Sequence, residues 1–326
     1  MPILHEKVTK HRKPDWLKIR LHNNEGFSQV AHIVEEHGLH TICSSGRCPN
    51  QAECWSRRTA TFMILGDICT RSCKFCATAT GKPLPPDCDE PQQLARSVSL
   101  MGLKHCVITS VDRDDLPDGG ASHWAASVRA VREANPDTTI EVLIPDFDGK
   151  SELIDVVLAS APDIVGHNIE TVERLTPQVR SRARYRVSLA TLKHIADSGA
   201  TAKSGLMLGL GESEEEVLAT MDDLLACGCK ILTIGQYLRP TAPELPVAEY
   251  VTPEKFAWYK EEALRRGFVY VESGPMVRSS YMAERAMQRC RETAAGATSQ
   301  PERHAATHST PVAEECSSAE QTLTKQ

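Results

Sequence analysis

A chain of 326 residues with 41% apolar and 25% charged residues has enough material for one large globular domain with extensions, and nothing fibrous or low-complexity in its bulk. Its net charge of −6 gives no reason to expect a nucleic-acid partner, and no run reaches the length of a membrane span. Twelve cysteines, six of them between Cys43 and Cys76, point to metal ligation rather than a disulfide framework, and so to a reducing cytoplasm.

The chain begins with a basic, proline-punctuated segment running from His5 to Arg20. It lacks the apolar core of a signal peptide, and Glu6 and Asp15 run against an organellar transit peptide. A helix is predicted over 27–37, where Val30, Ile33 and Val34 share one face, with Gly38 as its C-terminal cap. This segment reads equally as an arm packed on the main domain.

The first cysteine cluster follows: Cys43, Cys48 and Cys54, spaced C-x4-C-x5-C, with Gly46 and Pro49 to let the backbone wrap a metal centre. A short apolar strand over 61–65 then leads into a second triad, Cys69, Cys73 and Cys76, spaced C-x3-C-x2-C. Thiolates are soft ligands suited to zinc or to iron–sulfur clusters. Zinc wants a fourth protein ligand, and no His or Cys follows Cys76 until Cys88. A two-zinc knot would need eight ligands or shared thiolates, and six are on offer. Two separate iron–sulfur clusters fit better, the second triad leaving one iron open. A structural zinc knot or plain buried thiols are the alternatives.

From residue 59 the chain alternates. Helices are predicted over 91–101, 121–133, 151–160, 185–197, 213–226 and 253–266, and strands over 105–109, 139–144, 163–166, 202–207, 230–234 and 268–271. Such alternation means parallel βα units, and no G-x-G-x-x-G follows the first strand. A barrel or partial barrel is expected, with its chemistry at the C-terminal ends of the strands. Those ends carry polar residues: Thr109 and the run Asp112, Asp114, Asp115; Asn168 and Glu170; Lys203; Gln236 and Arg239. The three aspartates could also coordinate a divalent metal, although no spacing is diagnostic.

The C-x3-C-x2-C spacing with Phe75 before its last cysteine resembles the signature of radical S-adenosylmethionine (SAM) enzymes. Together with C-x4-C-x5-C, T-S-V-x-R-D-D-L-x-D-G-G-A, H-N-x-E-T, K-S-G-x-M-x-G-L-G-E and Arg278-Ser279-Ser280-Tyr281, the pattern resembles the lipoyl synthase family from about Trp16 to Tyr281. The resemblance implies an α/β fold, a partial (β/α)6 TIM-like barrel of the radical SAM type with N-terminal and C-terminal extensions. The expected division is 1–58 for the extension bearing the first triad, 59–290 for the barrel ending in the R-S-S-Y motif, and 291–326 for a disordered tail poor in large apolar residues.

The resemblance also implies two [4Fe-4S] clusters and SAM. Cys69, Cys73 and Cys76 would hold the cluster that reduces SAM. Cys43, Cys48 and Cys54, with Ser280 in preference to Ser279 as the fourth ligand, would hold an auxiliary cluster that gives up its sulfur. SAM, with its ammonium, carboxylate and ribose hydroxyls, would meet Thr109, Asn168, Glu170, Lys203, Gln236 and Arg239. The implied reaction inserts two sulfur atoms, at C6 and C8 of an octanoyl chain carried on a lipoyl carrier domain or the glycine-cleavage H protein. Unactivated C–H bonds offer no acidic proton, so radical chemistry is required and no side chain is expected as an acid or base. An electron donor such as flavodoxin or ferredoxin and an iron–sulfur carrier for cluster repair are the further partners implied. Cys88, Cys106, Cys227, Cys229, Cys290 and Cys316 stay outside every motif, Cys106 as a strand-core thiol. A biotin-synthase-like sulfur-inserting enzyme and a non-enzymatic iron–sulfur scaffold are the rival readings. C-x4-C-x5-C and the R-S-S-Y motif argue against the first; an open iron argues against the second.

Overall fold

The computed structural model describes residues 13–18, 25–57 and 59–298. Most of the basic start, and everything after Thr298 including Cys316, lie outside the described residues.

Helix α1 (Glu25–Glu36) begins two residues and ends one residue before its expected bounds, and Gly38 takes the left-handed conformation (φ +60°) that ends it. Strand β1 (His40–Thr41) and two short helices, α2 (Ile42–Ser45) and α3 (Gln51–Ser56), carry the first cysteine triad. Then come β2 (Thr61–Ile64), β3 (Ile68–Cys69), β4 (Ala79–Thr80), α4 (Glu90–Met101), β5 (His105–Ser110), α5 (Ala121–Ala134) and β6 (Thr139–Leu143). The second half runs α6 (Ser151–Leu158), β7 (Ile164–Gly166), α7 (Thr176–Val179), α8 (Tyr185–Asp197), β8 (Ala202–Leu208), α9 (Glu214–Ala226), β9 (Ile231–Gln236), α10 (Pro253–Arg266), β10 (Tyr270–Gly274) and α11 (Ala283–Thr298).

Local chemistry explains the helix ends. Ser213 and Glu216 form a reciprocal capping box at the start of α9, and Thr252 followed by Pro253 opens α10. The expected strand over 268–271 begins later, at Tyr270, because Phe268 turns into the core beneath α10. The expected tail boundary at 291 falls inside α11, whose Ala294 and Ala295 favour helix.

The main sheet has the order β1-β2-β5-β6-β7-β8-β9-β10, each strand beside its neighbour in sequence. β2 and the six strands after β4 are parallel, and only β1 is antiparallel, on the β2 edge. β1 and β10 are not paired with each other, so the barrel stays open along one seam. The expected partial barrel is therefore what forms. Both faces of the strands are covered, as parallel sheets require: Cys106, Ile108, Ile140, Val142 and Val165 are fully buried on one face, and Val107, Glu141, Ile164, Lys203 and Ile231 are buried on the other. The N-terminal segment has no separate core, since Val30, Cys43 and Trp55 pack in one cluster with Phe62, Leu94 and Trp124.

Candidate active site

The strand period of two places alternate side chains in the barrel. Met63, Thr109, Leu143, Asn168, Met207 and Gly235 thus line one cavity of about 470 Å³ at the C-terminal ends of the strands. Cys69, Cys73 and Cys76 stand in its wall on the loop that leaves β2, and the β3–β4 pair closes that loop at its base.

The loop is held by charge. Arg71, between the first two cysteines, is buried and meets three carboxylates: Asp114 at 2.8 Å, Asp146 at 2.9 Å and Asp112 at 3.4 Å. Burial alone would weaken the Arg71 charge, but Asp114, Asp112 and Asp146 more than offset it. Arg113 in turn pairs with Asp115. The aspartates offered as a divalent-metal site are therefore partners of arginines, a correction: Arg71, far upstream in sequence, meets Asp112 and Asp114, and the adjacent Arg113 takes Asp115. Backbone N–H groups of Arg71 and Asp112 approach Cys69 Sγ at 3.4 and 3.3 Å. Burial, then the Asp112 charge, pushes the Cys69 thiol up to about 12, and burial also raises Cys76. Such thiols stay neutral unless a metal supplies positive charge.

Upstream, Leu65 carries a left-handed φ of +69°, uncommon for its type. Both its backbone groups are held by charged side chains: Glu90 Oε2 accepts from its N–H (2.8 Å), and Arg113 Nη1 donates to its carbonyl (3.1 Å). His123 pairs with Glu90 at 2.6 Å. Sequence reading passed over Arg71, Glu90 and Arg113; a Leu-Gly step directly before a ligand loop was the available signal.

A second cavity, of about 360 Å³, lies at the seam between the β2 and β10 edges. It brings together Cys43, Cys48, Cys54 and Ser280, whereas Ser279 lines the other cavity. Thr61 donates a hydrogen bond to Ser280 Oγ (2.8 Å), and Asn50 Nδ2 donates to the carbonyl of Met276 (2.6 Å). These clamp the segment after β10 onto the cysteine-bearing helices. Tyr281 donates to Glu53 Oε1 (3.2 Å), and Arg57 pairs with Glu284 (2.8 Å). Burial, followed by the neighbouring Cys43 and Cys48, pushes Cys54 up to about 12; burial also raises Cys43 and Cys48.

The donor sets suit clusters better than single ions. Zinc–sulfur bonds of about 2.3 Å put tetrahedral ligands about 3.8 Å apart. Among the described residues no three cysteine sulfurs lie within 4.8 Å of one another; Asp87, Cys88 and Asp89 form the one group of three or more ligand residues that close, and they are exposed.

The expected SAM contacts divide. Thr109, Asn168, Glu170 and Arg239 line the larger cavity. Glu170 sits at φ +68°, and burial raises its carboxyl while Arg180 and Asn168 oppose that. Two expectations are corrected. Lys203 lies a layer deeper and is buried, its Nζ 2.6 Å from Glu141 Oε1. Gln236 lines the cavity, but its amide donates to the carbonyls of Leu208, Tyr237 and Glu249 and accepts from Val251 N–H. Its N–H donors are spent on the backbone, and a single acceptor position on its oxygen remains for a ligand. No helix among the described residues is long and apolar enough to cross a membrane.

Comparison with known proteins agrees with this geometry. Residues 63–224 match the radical SAM superfamily. The chain is 62% identical to a lipoyl synthase of Parabacteroides distasonis over 84% of its own length and 98% of the relative's. It is 63% identical to a lipoyl synthase of Bacteroides fragilis over 84% and 95%. In fold it is similar to SuiB of Streptococcus suis bound to S-adenosylmethionine, with a TM-score of 0.52, 11% identity, and 64% and 48% of the two chains covered. Two cysteine triads opening on adjacent cavities of an open parallel barrel, together with these identities, show that the chain belongs to the lipoyl synthase family of the radical SAM superfamily.

Proposed function

We propose that the two cavities divide the lipoyl synthase reaction between them, the larger one generating the radical and the smaller one holding the sulfur. The chain is an enzyme of the radical SAM, sulfur-inserting type, as its family is. The observation that carries the division is the separation of six thiols into two triads on two cavities, with Ser280 beside one and Asn168 and Glu170 beside the other.

In the larger cavity Cys69, Cys73 and Cys76 ligate three irons of one [4Fe-4S] cluster, and Arg71 fixes the loop that carries them. A reduced cluster with bound SAM supplies the radical able to take hydrogen from an unactivated carbon. Asn168 and Glu170 orient SAM from the β7 end, Thr109 from the β5 end, and Arg239 stands at the rim as a cation for its carboxylate. Met63, Val111, Leu143, Leu206, Met207 and Val277 give the same cavity an apolar wall. That wall suits an octanoyl chain and excludes water from the reacting carbons. Cys43, Cys48, Cys54 and Ser280 hold the auxiliary cluster, which is the sulfur donor for C6 and C8. Ser280 would give that cluster one oxygen donor, harder than the three thiolates and so a weaker match for a soft iron–sulfur centre.

The substrate in this reading is an octanoylated lipoyl carrier domain or glycine-cleavage H protein. Flavodoxin or ferredoxin supplies electrons, and an iron–sulfur carrier rebuilds the consumed cluster. A reducing compartment such as the cytoplasm suits six thiols that must stay available as ligands.

Anaerobic reconstitution tests the division. The full chain should take up about eight irons and form 5′-deoxyadenosine. Cys73→Ala should abolish SAM cleavage; Cys48→Ala should keep cleavage but yield no thiolated product. Lipoyl product from the Cys48→Ala enzyme would overturn the assignment of the sulfur donor.

A further inference from the structure

Among the described residues Arg278 alone lines both cavities. Its backbone lies in the segment that carries Ser280 to the cysteines, and its side chain forms part of the wall between the two compartments. The nearest backbone is tight: a Cβ added to Gly235 on β9 would meet the carbonyl of Val277 at 2.1 Å and Arg278 Nη1 at 3.4 Å.

Arg278, half-buried, differs from the two buried arginines of this site, Arg71 and Arg113. Arg71 is met by three carboxylates, and Arg113 by Asp115 and the carbonyls of Leu65 and Leu84. Among the described residues the Arg278 side chain has one hydrogen bond, from Nη1 to the carbonyl of its own neighbour Val277 (2.6 Å), and no carboxylate pairs with it. A guanidinium has five N–H donors, so most of them face the cavities without a partner. An uncompensated charge in such a place is costly unless a bound anion answers it.

The two cavities are not equivalent sources of that anion. On the larger side Lys13 already repels Arg278, and the nearby carboxylate of Asp112 is engaged with Arg71. On the smaller side stand three thiols and a serine oxygen, with two further cations, Arg57, which is paired with Glu284, and Lys104. With irons bound, the three thiolates and the sulfides make that side anionic at the Arg278 wall.

Resting on the two-cavity reading above, we propose that Arg278 is the charge partner of the sulfur-rich cluster held by Cys43, Cys48 and Cys54. It fixes the cluster against the wall that faces SAM and substrate. The side chain thereby does two things. Its positive charge favours the reduced, more negative state of the cluster, which raises the reduction potential. Its N–H donors hold sulfide on the side from which sulfur crosses to the acyl chain.

The test uses the full chain with Cys69, Cys73 and Cys76 replaced by alanine, so that one cluster remains, reconstituted anaerobically and titrated by EPR-monitored potentiometry. Arg278→Gln should shift the midpoint to more negative potential and speed iron loss to a chelator. Arg278→Lys, which keeps the charge, should stay near the parent value. Arg278→Met, which keeps the length of the stem without charge, gives the same reading if the glutamine variant unfolds. An unchanged midpoint in an uncharged variant that still holds its cluster overturns the proposal. So does a raised KM for SAM in Arg278→Gln of the otherwise wild-type enzyme with the midpoint unmoved, which would assign the cation to the SAM carboxylate. A parent chain that binds no cluster at all would overturn the two-cavity reading itself, and that outcome is distinct from the other two.

Discussion

His167 lies directly before the cavity-lining Asn168 and is wholly buried, and the hydrogen bonds around it fix its protonation. Arg180 Nη1 donates to Ser188 Oγ (2.7 Å), so the Ser188 hydroxyl proton is free to point at His167 Nε2 (2.9 Å). Nε2 is then an acceptor, and Nδ1 carries the proton toward the carbonyl of Ile144 (2.9 Å). The ring must be neutral. Burial first, and then repulsion by Arg180, lowers its pKa from 6.5 to about 4, with Asp146 opposing. A histidine pKa lowered in the folded state means that the unfolded chain binds the proton more readily. The contribution to stability is whole above about pH 6.5 and is lost as pH falls toward about 4. Between about pH 7.5 and about pH 5 the loss is about 2 kcal/mol for a shift of this size. Urea unfolding of the iron-free chain at the two pH values, wild type against His167→Gln, reports it together with the coupling of the ring to the Asp146 carboxyl. The wild-type advantage should shrink by about 2 kcal/mol on acidification. An advantage constant to within about 0.5 kcal/mol would refute the neutral-histidine argument.

Arg71→Met should lower unfolding free energy by about 3–5 kcal/mol in calorimetry or urea titration, because Asp146 would be left buried without its cation and Asp114 with only the half-exposed Arg182 at 3.8 Å; a loss below about 1 kcal/mol would contradict the anchoring role. Ser280→Ala should prevent thiolated product while leaving SAM cleavage, and Ser279→Ala, on the other cavity, should be milder; equal product yields from the two would be the wrong outcome. Gly235→Ala forces a Cβ onto the carbonyl of Val277 and should cost about 1–3 kcal/mol with partial loss of auxiliary iron, measurable by melting and iron analysis; an unaltered melting temperature would show that the segment after β10 yields freely.

The fold was largely legible because its signals are local. Apolar runs bounded by helix caps give parallel βα units directly, as in Thr252-Pro253 before α10, and cysteine spacing survives without any knowledge of distant contacts. What failed was every judgement that depended on a partner far along the chain. Lys203 stands in a motif beside the cavity, yet its charge is claimed by Glu141, 62 residues away. Gln236 ends its strand where a ligand contact is expected, yet the backbone at Glu249 and Val251 takes its amide. Asp112, Asp114 and Asp115 read as a metal site because their arginines could not be assigned to them. The helical start of the expected tail went unseen since α11 buries small side chains, Ala283 and Ala286, rather than large apolar ones.

The two triads are built to different standards, and the difference follows from what each has to do. Cys69, Cys73 and Cys76 sit on a loop closed by a strand pair and pinned by Arg71 to the ends of neighbouring elements. A cluster that must return to the same state after each turnover gains from such fixed ligands. Cys43, Cys48 and Cys54 sit on and between helices of four and six residues, too short to persist on their own. Their placement relies on Asn50, Thr61, Glu53 and Arg57 reaching the segment from Met276 to Glu284. Four side-chain links of this kind are each weak enough to break without unfolding the barrel. A centre that is consumed and rebuilt, as proposed for this triad, would need that freedom, and the open seam between the β2 and β10 edges is where a partial barrel can supply it.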